Sequence, residues 1–146
     1  MAVKKKEVCS RSACHLSKAL EIIGDRWSLL ILRDLMFTEK RTYGELQSVE
    51  EKIATNILAS RLNDMVTNGI VTRTVDAVDR RKVQYHLTEK GIDLLPVILE
   101  LKEWMRKYDQ SVLDSPEQID IQGGTKSEIL EAYGMKLRKD HLNITE

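Results

Sequence analysis

Apolar residues recur along the first half of the chain with the three- and four-residue spacing of helices that are buried on one side. In the first such segment the apolar positions are Leu16, Ala19, Leu20 and Ile23. The next segment, residues 27–36, is apolar on most sides, which is typical of a helix inside a core. The pattern predicts four helices, at residues 15–23, 27–36, 42–48 and 54–68.

Residues that begin and end helices support these boundaries. Asp25 can serve as the N-cap of the second helix. Thr42 and Glu45 form a capping box that opens the third helix, and Gly69 stands at the position that closes the fourth. Residues 49–53 make the turn between the third and fourth helices, so these two helices form a helix-turn-helix unit.

Beyond Gly69 the spacing changes to the two-residue alternation of β-strands. Val83, Tyr85 and Leu87 alternate with polar residues, which predicts a half-buried strand at residues 82–87 with His86 exposed. Residues 70–75 are rich in Val and Thr and pair with that strand across a charged turn. The pattern therefore predicts an antiparallel hairpin.

Helix, turn, helix and hairpin in this order are the components of a winged helix-turn-helix. This fold is mainly α with a small β-hairpin (α+β), and it places one helix in a DNA groove with the hairpin beside it on the backbone. We divide the chain into an N-terminal arm at residues 1–13, the winged helix-turn-helix domain with its dimerisation helices at 14–110, and a linker with a C-terminal helix at 111–146.

The fourth helix has two distinct sides. Leu58, Leu62 and Met65 follow a helical spacing and should pack inward. The opposite side carries small or short hydrogen-bonding side chains, which suit close approach to base edges better than the Lys and Glu of a solvated face. An ordinary small polar surface is the alternative. The residues expected to contact bases are Thr55, Asn56, Ala59, Ser60 and Asn63.

Three adjacent cations, Arg80, Arg81 and Lys82, lie at the predicted hairpin tip. Beside a helix-turn-helix such a cluster suits binding to DNA phosphates, whereas on an isolated hairpin a solvated turn would be the simpler interpretation. The residues expected at the DNA backbone are Arg41, Thr42, Arg61, Arg80, Arg81 and Lys82.

Residues 88–110 predict a long helix with a heptad seam of apolar residues and a bend at Pro96. Leu95 and Leu99 form a second stripe that can face the domain's own core. Because a small domain cannot cover both stripes, dimerisation through this helix and the first one is expected; packing of the seam on the chain's own tail is the alternative. The expected dimer positions are Leu16, Leu20, Leu94, Ile98, Leu101, Met105 and Tyr108, and the seam continues to Val112.

The tail contains a linker and a last helix. Thr125 and Glu128 form a second capping box, which predicts a helix from 126 to about 141. Leu130, Tyr133 and Leu137 lie on one of its sides, and packing across the dimer is the simplest expectation for them.

Composition adds limits. The 146 residues are 42% hydrophobic and 32% charged, with 23 basic and 23 acidic residues, so the chain is neutral overall. Neutrality is mild evidence against nucleic-acid binding, and it keeps open a winged-helix module that binds proteins and not DNA. Since no apolar run approaches ~18 residues and no signal core follows the N-terminus, we expect a cytoplasmic protein without a membrane partner.

The chemistry-bearing residues are few. Cys9, Cys14 and His15 lack an evident fourth ligand for a metal, and no catalytic arrangement or phosphate-binding glycine loop is visible. We therefore expect neither an enzyme nor a cofactor. A helix N-terminus favours the reactive thiolate of a cysteine, so Cys14 is a candidate redox or electrophile switch, with Arg11 and Lys18 nearby. The alternative is a half-buried cysteine that acts as a small apolar residue.

The order and spacing of several motifs resemble a known family. Those motifs are Cys14, Ala19-Leu20, Ile23-Gly24, Trp27-Ser28-Leu29-Leu30-Ile31-Leu32-Arg33-Asp34-Leu35, Arg41-Thr42-Tyr43-Gly44-Glu45-Leu46, Leu58, Arg61-Leu62, Asn68-Gly69-Ile70-Val71, Arg73, Val83-x-Tyr85-x-Leu87-Thr88-x-Lys90-Gly91 and Leu95-Pro96. Together they resemble the HxlR family of bacterial transcriptional regulators, relatives of the MarR winged-helix proteins.

The resemblance implies a homodimer that binds double-stranded DNA at an inverted-repeat operator, with a small molecule or oxidant as a possible effector. Some members of the family sense electrophiles or oxidants through a cysteine near the start of the first helix, which Cys14 matches. One departure lies before the recognition helix, where Glu50 and Glu51 would repel phosphates if they pointed at the DNA. They could instead face the positive end of that helix.

Overall fold

The computed structural model describes residues 12–111 and 124–142. Within them no helix has the length and apolar content needed to cross a membrane. Cys9, Arg11 and Val112 lie outside the described residues. The elements are α1 (His15–Ile23), α2 (Arg26–Phe37), α3 (Tyr43–Gln47), α4 (Thr55–Thr67), β1 (Val71–Val75), β2 (Val83–Leu87), α5 (Glu89–Ile92), α6 (Leu95–Tyr108) and α7 (Lys126–Leu142).

The predicted helix boundaries are confirmed by their caps. The Asp25 carboxylate accepts a hydrogen bond from the Ser28 amide at 2.9 Å and so caps α2. Thr42 and Glu45 make both hydrogen bonds of the capping box at α3. Gly69 has φ +69°, a conformation that a side chain makes unfavourable, and this lets the chain leave α4 and enter β1 directly.

The core surrounds α2, whose Leu32 and Leu35 have no exposed surface. The inward side of α4 packs on it, as do the base of the hairpin and the start of α6. Because α2 contacts both α4 and α6, it connects the helix-turn-helix to the C-terminal helices.

The hairpin pairs β1 with β2 in antiparallel register, from Val71 opposite Leu87 to Val75 opposite Val83. A short segment before α3 joins its edge, since the Tyr85 amide donates to the Arg41 carbonyl at 2.8 Å. The hairpin, which we call the wing, is therefore attached to the helix-turn-helix at one edge.

The predicted long helix is divided in two. α5 ends at Ile92 and α6 begins at Leu95, with Pro96 in the first turn of α6. Proline has no amide hydrogen and cannot continue a helix from the preceding turn, so it starts a new helix and does not merely bend one. On α6, Ile98 is buried in the chain's own core with Leu95, whereas Leu101, Met105 and Tyr108 are exposed.

The expected exposure of His86 is wrong: the residue is only 5% exposed. Strand alternation predicts solvent on the polar side of β2, but α7 covers that side. α7 also packs on the chain's own core, through the buried Leu137 and the partly buried Leu130 and Tyr133, which form the side that was expected to pack across a dimer. The side of β2 that the sequence pattern predicted to face solvent thus faces α7.

Candidate nucleic-acid interface

Helix α4 separates its two sides as predicted. Leu58, Leu62 and Met65 are buried. The Tyr43 hydroxyl donates to the Thr55 carbonyl at 2.6 Å and ties α3 to the first turn of α4, whose N-cap Ala54 contributes no side-chain hydrogen bond. The residues predicted to contact bases are all exposed on the other side: Thr55, Asn56, Ala59, Ser60 and Asn63.

In the turn into α4, one of the two acidic residues is paired with a cation of α2. Arg33 on α2 donates from Nη1 and Nη2 to the two carboxylate oxygens of Glu51. This pairing lowers the pKa of Glu51 to about 2, against the opposing effect of burial. Glu51 therefore neither faces the end of the helix nor adds an uncompensated negative charge beside it, and only Glu50 of the acidic pair is exposed.

The wing loop is organised by a second carboxylate. Asp76 Oδ1 accepts hydrogen bonds from the amides of Val78 and Asp79 at 2.8 and 3.0 Å, and these amides lower the pKa of Asp76. The Asp76 amide donates to the Lys82 carbonyl at 2.9 Å and closes the loop. The loop is thus held by the Asp76 carboxylate and by a backbone hydrogen bond across its ends.

The three wing cations are exposed as predicted. The Arg81 side chain is 93% exposed, although its Nε donates to Asp79 Oδ1 at 3.2 Å. Arg80 and Lys82 flank it. The loop therefore presents positive charge at the end of a short hairpin, the arrangement that suits contact with phosphates.

Arg41, predicted at the DNA backbone, has structural contacts instead. Its Nη1 donates to the carbonyls of Leu35, Thr38 and Lys40 at 3.2, 3.1 and 2.7 Å, so the side chain completes the C-terminal end of α2. Burial lowers the pKa of Arg41. Thr42 is half-buried, and its hydroxyl caps α3. Neither side chain is presented in the way that the wing cations are.

Arg61 lies at the edge of α4 and is paired within the chain. Its Nε lies 3.8 Å from Asp25 and its Nη1 3.5 Å from Asp64. Two further cations, which the predicted set omitted, are exposed. Lys52, at φ 53°, lies in the turn into α4, and Arg73 lies on the exposed strand β1 opposite Tyr85. The sequence could have identified both cations: Lys52 lies in the predicted turn, and Arg73 lies in the predicted strand between Thr72 and Thr74.

A separate apolar surface lies on α1 and α6. Leu16 is 67% exposed and Leu20 55%, and α6 presents Leu101, Met105 and Tyr108. Trp104, which the heptad spacing omitted, is 61% exposed there as well. The exposed Cys14 is the N-cap of α1 and lines an open groove of about 450 Å³ with Leu16, Ser17, Leu20 and Glu21. We call these exposed side chains of α1 and α6 the apolar surface.

The fold and this site define a winged helix-turn-helix DNA-binding protein of the MarR-like type. Residues 22–112 match the family model described as HxlR-like helix-turn-helix, and the chain belongs to this family of transcriptional regulators. The predicted fold class and family are thereby confirmed.

Relatives and solved structures agree. The HTH-type transcriptional regulator YdeP of Bacillus subtilis (strain 168) is 34% identical over 99 residues, which cover 68% of this chain and 77% of YdeP. The crystal structure of PA1607 has a TM-score of 0.65 and 32% identity, and the match covers 80% of each chain. The redox regulator HypR in its reduced form has a TM-score of 0.56 and 31% identity over 67% of this chain and 95% of HypR.

Proposed function

We propose that this chain regulates transcription as a homodimer that binds an inverted-repeat operator in a sequence-specific manner. The observation that carries the proposal is the exposed side of α4, where short hydrogen-bonding side chains lie opposite a fully buried apolar stripe. A surface with this composition fits into the major groove, where amide and hydroxyl groups can read base edges.

The structure supports two kinds of contact. Asn56 and Asn63 offer amide groups that can pair with adenine, and Thr55, Ala59 and Ser60 permit close approach. Arg80, Arg81 and Lys82 meet phosphates and set the register of α4 without reading sequence. Arg61, which is half-buried between two carboxylates, contributes less than the wing cations.

Dimerisation follows from the apolar surface. Leu16, Leu20 and Trp104 are each more than half exposed, and exposed patches of large apolar side chains mark interfaces. A second copy of the chain is the occupant that also explains function, because two α4 helices related by two-fold symmetry read two half-sites about 34 Å apart.

A cysteine can control this dimer. Cys14 lies on the apolar surface and not beside α4, so alkylation or oxidation of its thiol would change the packing of α1 between subunits and hence the distance between the two α4 helices. The structural similarity to HypR, a redox regulator solved in reduced and oxidised forms, supports this part of the proposal.

DNA binding is tested by selecting bound duplexes from a random pool and footprinting them. Arg81→Ala should weaken binding to all sequences alike and reduce the slope of log affinity against log salt by about 0.9 for each phosphate that the variant no longer neutralises. Asn56→Ala should cost ~1–3 kcal/mol and change the preferred base at one position. Lys139→Ala, on the exposed side of α7, is the matched control and should change neither. Binding that does not respond to salt would favour a protein-binding module.

Cysteine control is tested with the same operator. Wild-type protein should release DNA on treatment with hydrogen peroxide and rebind after reduction, whereas Cys14→Ser should stay bound. If Cys14→Ser releases DNA like the wild type, this cysteine does not control binding.

A further inference from the structure

Helix α7 connects the wing strand β2 to the central helix α2 through one buried histidine. Its His141 is 2% exposed. His141 Nδ1 accepts the amide hydrogen of Leu87, the last residue of β2, at 3.0 Å. His141 Nε2 donates to the carbonyl of Leu35 in α2 at 2.9 Å. One imidazole, in a single neutral tautomer, thus joins the base of the wing to the central helix.

Two further contacts hold α7 in place without involving the wing strands. The Tyr133 hydroxyl donates to the Met36 carbonyl at 3.0 Å. Arg138 Nε donates to both carboxylate oxygens of Glu89 at 3.0 and 3.1 Å. Among the described residues of α7, His141 is therefore the one that forms hydrogen bonds with both β2 and α2.

The wing depends on outside support. It has only two strands, and a two-stranded hairpin is marginally stable alone. On one edge it is held by the Tyr85–Arg41 backbone hydrogen bond. On the face of His86 it is held by α7, where the rings of His86 and His141 meet edge to face with centroids 5.9 Å apart. Without α7 that face would lose its cover.

Small rotations at the base matter at the tip. A strand of five residues is about 17 Å long, so a 10° rotation of the wing about its base would move the tip cations by about 3 Å. Such a displacement is enough to break a hydrogen bond to a phosphate oxygen. Correct placement of Arg80 and Arg81 on DNA therefore requires a fixed wing base.

We propose that His141 is a positioning residue for DNA binding: it sets the angle between the wing and α4 by fixing β2 to α2. The proposal rests on the proposed DNA-binding function. It assigns a role to a helix that lies beyond residues 22–112, the part of the chain that matches the family model.

The test compares His141→Gln with Tyr133→Phe. Glutamine can place its side-chain NH2 near the position of the imidazole Nε2, within reach of the Leu35 carbonyl, but it has no acceptor at the position of Nδ1, where the Leu87 amide is bound. Tyr133→Phe removes a contact between α7 and α2 and leaves the wing contact intact. His141→Gln should bind the operator about tenfold less tightly, because a wing that is no longer fixed to α2 does not hold its cations in place against the phosphates. Its salt slope should fall by roughly 2, as the removal of one phosphate contact in each subunit predicts. Tyr133→Phe should keep the wild-type slope.

A purely structural role would lower the active fraction in both variants and leave both salt slopes unchanged, and that result would overturn the proposal. Amide hydrogen exchange in the free protein gives a readout that does not need DNA. The amides of Val83–Leu87 should exchange faster in His141→Gln than in Tyr133→Phe, and equal rates would also overturn the proposal.

The two proposals fail in different ways. If the wild type binds no duplex but the exchange difference is present, the DNA-binding proposal fails and the link between α7 and the wing stands. If the wild type binds and His141→Gln keeps its affinity and slope, only the positioning role fails. Should His141→Gln not fold, His141→Asn retains the acceptor for Leu87, removes the donor to Leu35, and is subject to the same comparisons.

Discussion

The guanidinium of Arg33 binds the carboxylate of Glu51 through two hydrogen bonds, Nη2 to Oε2 at 3.1 Å and Nη1 to Oε1 at 2.5 Å. Arg33 lies on the central helix α2, and Glu51 lies in the turn that leads into α4. Both side chains are mostly buried, with 18% and 26% exposed. The pair therefore attaches the start of α4 to the core.

Glu51→Gln should destabilise the protein. The amide keeps the size of the side chain but loses one charged acceptor, which leaves Arg33 with incomplete compensation at a cost of about 1–3 kcal/mol. Urea unfolding monitored by circular dichroism measures the loss. Glu50→Gln is the matched control, since Glu50 is exposed, and should change the midpoint little. Equal midpoints for the two variants would show that the Arg33–Glu51 pair contributes nothing to stability.

The wing loop allows a second test, in which organisation and charge act in opposite directions. Asp76→Ala removes a negative charge near the wing cations, which alone would strengthen DNA binding, but it also removes the acceptor of the Val78 and Asp79 amides. We expect Asp76→Ala to bind DNA more weakly than Asp76→Asn, because asparagine loses the same charge and retains the acceptor. Fluorescence anisotropy with a labelled duplex measures both. Equal affinities would mean that the loop needs no internal hydrogen bonds to bind DNA.

The apolar surface on α1 and α6 should control the oligomeric state. Leu20→Glu places a charge in the expected dimer interface, where burying it without a partner is costly, so the variant should be monomeric and bind its operator weakly. Met135→Glu is the control, because Met135 is 64% exposed but belongs to α7 and not to α1 or α6. Analytical ultracentrifugation distinguishes the two. A dimeric Leu20→Glu would place the interface elsewhere.

The helix-turn-helix and hairpin could be predicted from the sequence because their signals are local. The capping box of Thr42 and Glu45, the glycine after α4 and the alternation in β2 each depend on a few neighbouring residues. The packing of α7 could not be predicted in this way. His86 and His141 are separated by more than 50 residues, and nothing in either local pattern shows that one covers the other.

The candidate site divides in a similar way. The exposed side of α4 follows from helical spacing, so its five residues were identified from the sequence. Whether a cation is available to a phosphate depends on its partners in three dimensions. Arg41 is occupied by carbonyls at the end of α2, and Arg61 lies between two carboxylates, while Arg81 remains exposed. The sequence shows that all three residues are cations, but it does not show which of them is available to a phosphate.

Acid should destabilise the protein through His141. Burial, and after it the nearby Arg41 guanidinium, lower the pKa of His141 from an ordinary 6.5 to about 4. The Leu35 carbonyl and Asp140 raise this pKa, but less strongly. Burial and Arg41 also lower the pKa of His86. Between these two pH values the unfolded chain binds more protons at His141 than the folded one, so stability is complete above about pH 6.5 and falls as pH drops toward 4, by up to about 3 kcal/mol.

Urea midpoints of the wild type should therefore decrease from pH 7.5 to 6.0 and 5.0. The difference in midpoint between the wild type and His141→Gln should narrow over the same range. The variant should keep a weaker pH dependence, which comes from His86. Glu51 does not interfere, because its contribution is lost only below its unfolded pKa of about 4.5. A gap that stays constant from pH 7.5 to 5.0 would mean that folding does not lower the pKa of His141, since a proton on Nδ1 would remove the lone pair that accepts the Leu87 amide.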